Sequence, residues 1–183
     1  MKTIEECWQI LESQLPAGES LGASASDATI REAESKMQIE LPEDFRQFLA
    51  RHDGSGACFI APYKIGGGGQ KFLNLAEILC IWTEKVKMLD EYGPQGLSHE
   101  QEGPIKPCWW NPCWVPFTDN ECGDFIYLDF DPAKGGTSGQ VVDWWHEPAK
   151  STFQAASFRE WLNEVADNVL TGVYKFGTEW PED

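Results

Sequence analysis

The sequence predicts an α+β fold: a single domain in which N-terminal helices and a C-terminal helix pack on a twisted antiparallel sheet. Three observations lead there. Apolar residues recur at helical spacing before residue 55, over 75–89 and again after 157, while the rest of the middle of the chain alternates or runs apolar in short, turn-bounded stretches. No composition break is long enough for a linker, and a chain of 183 residues can bury roughly 70% of its unfolded surface without staples.

Ile4, Cys7, Trp8, Leu11 and Leu15 form the inner stripe of a first helix that Pro16-Ala17-Gly18 ends. A second helix begins either at Thr29, through a Thr29–Glu32 capping box, or one turn earlier at Ser26 or Asp27, which better suits Ile30, Ala33 and Met37 as its buried side. Pro42 holds Leu41 extended and opens a third helix with Phe45, Phe48 and Leu49 inward, closed by Asp53-Gly54. His52 then sits in a last turn, where the helix dipole favours it.

Residues 56–65 read as a strand containing Phe59, Ile60 and Tyr63. Gly66-Gly67-Gly68-Gly69 is followed by Gln70-Lys71-Phe72, without the Lys-Ser or Lys-Thr pair that grips phosphate, so it reads as a mobile hairpin tip. Asn74–Glu77 is a capping box for a helix through about Asp90, with Leu75, Ile78, Leu79, Trp82, Val86 and Leu89 inward. A long irregular connection over residues 92–113 leads to Trp114-Val115-Pro116-Phe117, which Pro116 places at an edge or a bulge.

Residues 119–145 carry the functional signal. Phe125-Ile126-Tyr127-Leu128 is continuously apolar, as in a strand covered on both faces; Pro132 stops it, glycines 135, 136 and 139 turn the chain, and Gln140–Trp145 returns. Asp119, Glu121, Asp124, Asp129 and Asp131 fall within this segment with no base before Lys134. Ser157–Glu160 caps a final helix with Phe158, Trp161, Leu162, Val165 and Val169 inward, ending at Thr171-Gly172. The domain is expected to span residues 1–172, with 173–183 a tail, docked or frayed.

The chain carries 30 acids against 14 bases, a net charge of −16. Phosphate would be repelled, which argues against nucleic-acid binding; a basic protein surface would be attracted. Nine Trp and ten Phe favour a partner-binding face as well as a core. The N-terminus has acids where a signal peptide needs an apolar run, and no stretch is long enough to cross a membrane, so a soluble, cytoplasmic protein is expected. Cys7, Cys58 and Cys80 read as buried free thiols. Cys108, Cys113 and Cys122 lack the spacing of a zinc site, and neither metal nor cofactor is expected.

The ordered pieces together resemble the SUKH superfamily, nearest its Smi/Knr-like branch. The resemblance rests on Ile30 and Glu34 before Leu41-Pro42-Glu43-Asp44-Phe45, and on His52-Asp53-Gly54. Further along come Trp114-Val115-Pro116-Phe117, Gly123-Asp124, Leu128-Asp129-Phe130-Asp131-Pro132, Gly135-Gly136, Gly139-Gln140-Val141 and the helix from Phe158 to Leu162. It covers about residues 27–165; the 92–108 loop, the Cys-rich patch and the end beyond Leu170 depart from it. It implies a single α+β domain with a non-enzymatic role, commonly as an immunity protein that binds and neutralises a toxin, often a nuclease.

The expectation is therefore a protein-binding module for a basic toxin domain. Asp119, Glu121, Asp124, Asp129 and Asp131 would supply the electrostatic contacts, and Trp110 and Trp114 the anchors. One alternative is a regulatory scaffold of the cell-wall-assembly type. The other is a metal-dependent hydrolase, with Glu121 and Asp129 as acid and base or the acids around calcium or magnesium.

Overall fold

The computed structural model describes residues 1–61, 69–94 and 98–178. Tyr63, most of the glycine tract and Trp180–Asp183 lie outside the described residues. Helix α1 (Ile4–Glu12) opens on a capping box between Thr3 and Glu6. Helix α2 (Asp27–Met37) begins at Ser26, the earlier of the two expected starts, and buries Ile30, Ala33 and Met37. Helix α3 (Glu43–Arg51) follows Pro42 and buries Phe45, Phe48 and Leu49.

Strands β1 (Phe59–Ala61) and β2 (Gln70–Phe72) pair antiparallel, and α4 (Leu75–Tyr92) starts from the Asn74–Glu77 capping box. Then come β3 (Glu100–Glu102), β4 (Trp114–Asp119), β5 (Phe125–Asp129), β6 (Gln140–Trp145) and β7 (Lys150–Ala155). Helix α5 (Phe158–Leu170), capped by Ser157, and β8 (Lys175–Gly177) complete the described elements.

Among the described residues the strands form one sheet in the order β3-β7-β6-β5-β4-β2-β1-β8. Every neighbouring pair is antiparallel except β3 with β7, so the sheet is mixed. The exception follows from connectivity: β3 and β7 are separated in the chain by β4, β5 and β6, so no tight hairpin constrains their relative direction. The chain beyond residue 172 continues into β8, which docks on β1.

Both faces of the sheet are covered. One face meets α1, α2, α3 and α5 in the larger core, through Val115 and Phe117 of β4, Ile126 and Leu128 of β5, and Val141 of β6. The opposite face holds a second, aromatic core of Trp109, Trp110, Trp114, Phe125, Tyr127, Val142 and Trp144, against which Met88 and Leu89 of α4 pack. Alternating residues of β5 thus enter different cores, which is why that strand is apolar throughout.

Strand β4 lies inside the sheet, between β5 and β2, so the edge position is excluded. Its register instead shifts between Pro116 and Thr118, a bulge at Phe117 directly after the residue that lacks a backbone donor. Cys7 and Cys58 are buried free thiols, whereas Cys80 is exposed, because it falls on the outward side of α4.

Candidate protein-binding site at the acidic hairpin

The β4–β5 turn is built from its own side chains. Asp119 Oδ1 accepts from the Glu121 amide at 2.8 Å, and Asn120 Oδ1 accepts from the Cys122 and Asp124 amides at 2.9 and 3.0 Å. These short polar side chains replace backbone partners, and they set the tip in one geometry. Glu121 adopts φ 60°, a left-handed conformation uncommon for a residue with a Cβ, and Gly123 adopts φ 93°.

That geometry presents the Glu121 carboxylate to solvent, with 58% of its side chain exposed. Lys71 of β2 donates to it at 3.1 Å and stands 3.7 Å from Glu77. Burial pulls the Lys71 ammonium down, but the Glu121 hydrogen bond and the charges of Glu77, Glu121 and Asp119 outweigh it and raise its pKa. Asp119 is half-buried, and burial raises its carboxyl above the usual range despite the Glu121 amide. Three acids surround one base, leaving the tip negative.

Asp131 belongs to a different place. It is 39% exposed at the far end of β5, where Lys106 and then Asn111 donate to it and hold its carboxyl below the usual range. Asp124 is buried: Asn120 Nδ2 donates to its Oδ2 at 2.7 Å, and His146 approaches its Oδ1.

Asp129 is 0% exposed. Trp114 Nε1 and the Asp131 amide donate to its Oδ1 at 3.0 and 2.9 Å, and Gln140 Nε2 donates to its Oδ2 at 2.9 Å. Burial raises its carboxyl, and the three donors only partly offset that. Trp110 and Trp114, expected as outward anchors, are 1% and 0% exposed within the aromatic core. Of the seven residues, Glu121, Asp119 and Asp131 reach solvent, whereas Asp124, Asp129, Trp110 and Trp114 are buried, which corrects the expectation for those four alone. A half-covered sheet would have left alternate positions to solvent, but here the second core buries them.

His146 carries no sequence signal. It is an exposed residue that the β6–β7 connection brings beside the turn, where its ring Nδ1 lies 2.7 Å from Asp124 Oδ1. No local pattern links residues 22 positions apart.

The hydrolytic pair does not assemble. Glu121 precedes β5 and Asp129 ends it, so at the rise of an extended strand they are separated by roughly 13 Å or more, beyond the spacing of an acid–base couple across one bond. Among the described residues, no group of three or more His, Cys, Asp or Glu is placed to hold a metal ion.

A family model described as SMI1 / KNR4 family (SUKH-1) matches residues 24–164. The chain belongs to that family. A comparison with curated proteins found no match. Membership of SUKH-1 supports, at the level of the family, a toxin-immunity or Smi1-type role, and the family is generally non-catalytic. Its members typically bind protein toxins. Among the described residues no helix is long and apolar enough to cross a membrane.

Proposed function

We propose that this chain is an immunity-type protein that neutralises a basic, nuclease-type toxin by docking on it through the β4–β5 turn. Glu121 and Asp119 are the primary contacts and Asp131 a secondary one. Asp124, Asp129, Trp110 and Trp114 act behind them, holding the surface in place.

The observation that carries this reading is the conformation of Glu121. A charged side chain held in a left-handed turn conformation, where glycine would fit at no steric cost, and left mostly exposed, stabilises nothing large in the fold. Such strain is expected where the side chain serves a ligand. A net charge of −16 adds a long-range field that would speed encounter with a cationic surface.

The experiment measures affinity by calorimetry, and association rate by stopped flow, with basic, nuclease-type toxin domains. Glu121→Gln combined with Asp119→Asn is expected to weaken binding by at least about tenfold, and the association rate should fall steeply with added salt. An affinity indifferent to both changes removes the turn from the interface.

A further inference from the structure

The aromatic core holds a cation that forms no ion pair among the described residues. Lys85 of α4 places Nζ 4.0 Å from the centroid of the Trp144 ring, 5.1 Å from that of Phe125 and 5.7 Å from that of Trp110. It has neither a hydrogen bond nor an ion pair among the described residues. An ammonium carries three donors, and ring faces offer it charge but no good acceptor. Burial accordingly pushes the Lys85 amine below the usual lysine range, with Glu84 and Asp124 pulling it back.

Trp110 Nε1–H is buried and has no partner among the described residues. Three rings of one face thus define a space whose chemistry suits a positive charge. The register of the sheet sets this space beside the turn: Asp119 pairs with Phe125, which pairs in turn with Trp144.

We propose that Trp110, Phe125 and Trp144 form a binding site for a cationic side chain, filled by Lys85 in the free protein and yielded to a lysine or arginine of the docking partner. Entry of that side chain rests on the reading of the turn as a toxin-binding surface; the ring site itself does not. On docking, Lys85 swings off the rings and the incoming cation takes its place over Trp144. The opposing possibility is that Lys85 is only a long stem covering apolar surface.

The test uses tetramethylammonium as probe, because it has no N–H to donate to the carboxylates of the turn, and the Trp144 variant subtracts its purely ionic attraction to them. Tryptophan fluorescence is followed during titration of the wild type, Lys85→Ala and the double variant Lys85→Ala/Trp144→Leu. The vacated site in Lys85→Ala is expected to bind the probe saturably, at least about tenfold more tightly than the wild type, with the gain lost in the double variant. Uncharged tert-butanol, of similar shape, is expected not to saturate. Equal binding of tert-butanol, or no saturable binding of either probe by a folded Lys85→Ala, overturns the proposal. Lys85→Ser replaces the alanine variant if the latter does not fold, and failure of both to fold assigns Lys85 to stability alone and also overturns it. No toxin enters this titration, so its failure leaves the reading of the turn standing, and failed toxin binding leaves the ring site standing.

Discussion

Asp124 Oδ1 accepts from His146 twice, from the backbone amide at 2.9 Å and from ring Nδ1 at 2.7 Å. A carboxylate oxygen only accepts, so Nδ1 carries the proton and the ring is held in one orientation beside the acidic turn. Asn120 Nδ2 donates to the other oxygen, so one buried carboxylate ties the β4–β5 turn to the end of β6. Asp124→Ala strands these donors. The expected loss is about 1–3 kcal/mol for each buried donor left unmet, less where water can enter. In a chain of this size each kcal/mol lowers the thermal midpoint by about 2–4 °C, and a midpoint within a degree of wild type would refute the tie.

Glu121→Gly separates stability from binding. Glycine enters the left-handed region without the steric penalty of about 1–2 kcal/mol that a side chain meets there. Against that, the variant loses a partly exposed ion pair with Lys71, worth about 0–1 kcal/mol, and glycine adds unfolded-chain freedom worth about 0.4–1 kcal/mol. A raised or unchanged thermal midpoint together with weakened toxin binding is the expected pairing. A clearly less stable variant would show that Glu121 serves the fold.

Asp129→Asn keeps the shape of the side chain and removes an acceptor. The new amide nitrogen faces either Gln140 Nε2 or the donors from Trp114 and Asp131, so at least one donor meets another donor. A destabilisation of about 1–3 kcal/mol follows, readable as a shifted urea midpoint.

Asp131 predicts an acid-sensitive contribution. Lys106 and Asn111 lower its carboxyl pKa in the folded state, so its stabilising effect is present above the unfolded carboxylate pKa of about 3.9 and fades as pH falls through the lower folded value. Urea midpoints of wild type and Asp131→Asn should therefore differ at neutral pH and converge in strong acid. A gap that widens on acidification would contradict the assigned direction. Because the residue is well exposed, the gap at neutral pH is expected to be small.

The helices were legible because their signals are local. Thr3, Ser26, Asn74 and Ser157 each cap an α-helix whose apolar stripe lies within one element. Strands β4, β5 and β6 were legible for a similar reason, being six, five and six residues long with apolar runs bounded by turn residues. Strands β3 and β8 have three residues each, too few for any period, and β7 (Lys-Ser-Thr-Phe-Gln-Ala) has little apolar pattern. Their existence depends on neighbours supplied by distant parts of the chain.

The candidate site divides along the same line. Sequence by itself determined an acidic chain, a turn dense in carboxylates and a family-wide order of elements, because composition, turn chemistry and short-range periodicity survive without a fold. Only the tertiary structure decided which carboxylates reach solvent. Burial of Asp124, Asp129, Trp110 and Trp114 requires a second core on the far side of the sheet, and Lys85 and His146 arrive at the turn from α4 and the end of β6. Those approaches are set by chain closure over tens of residues, which no local spacing encodes.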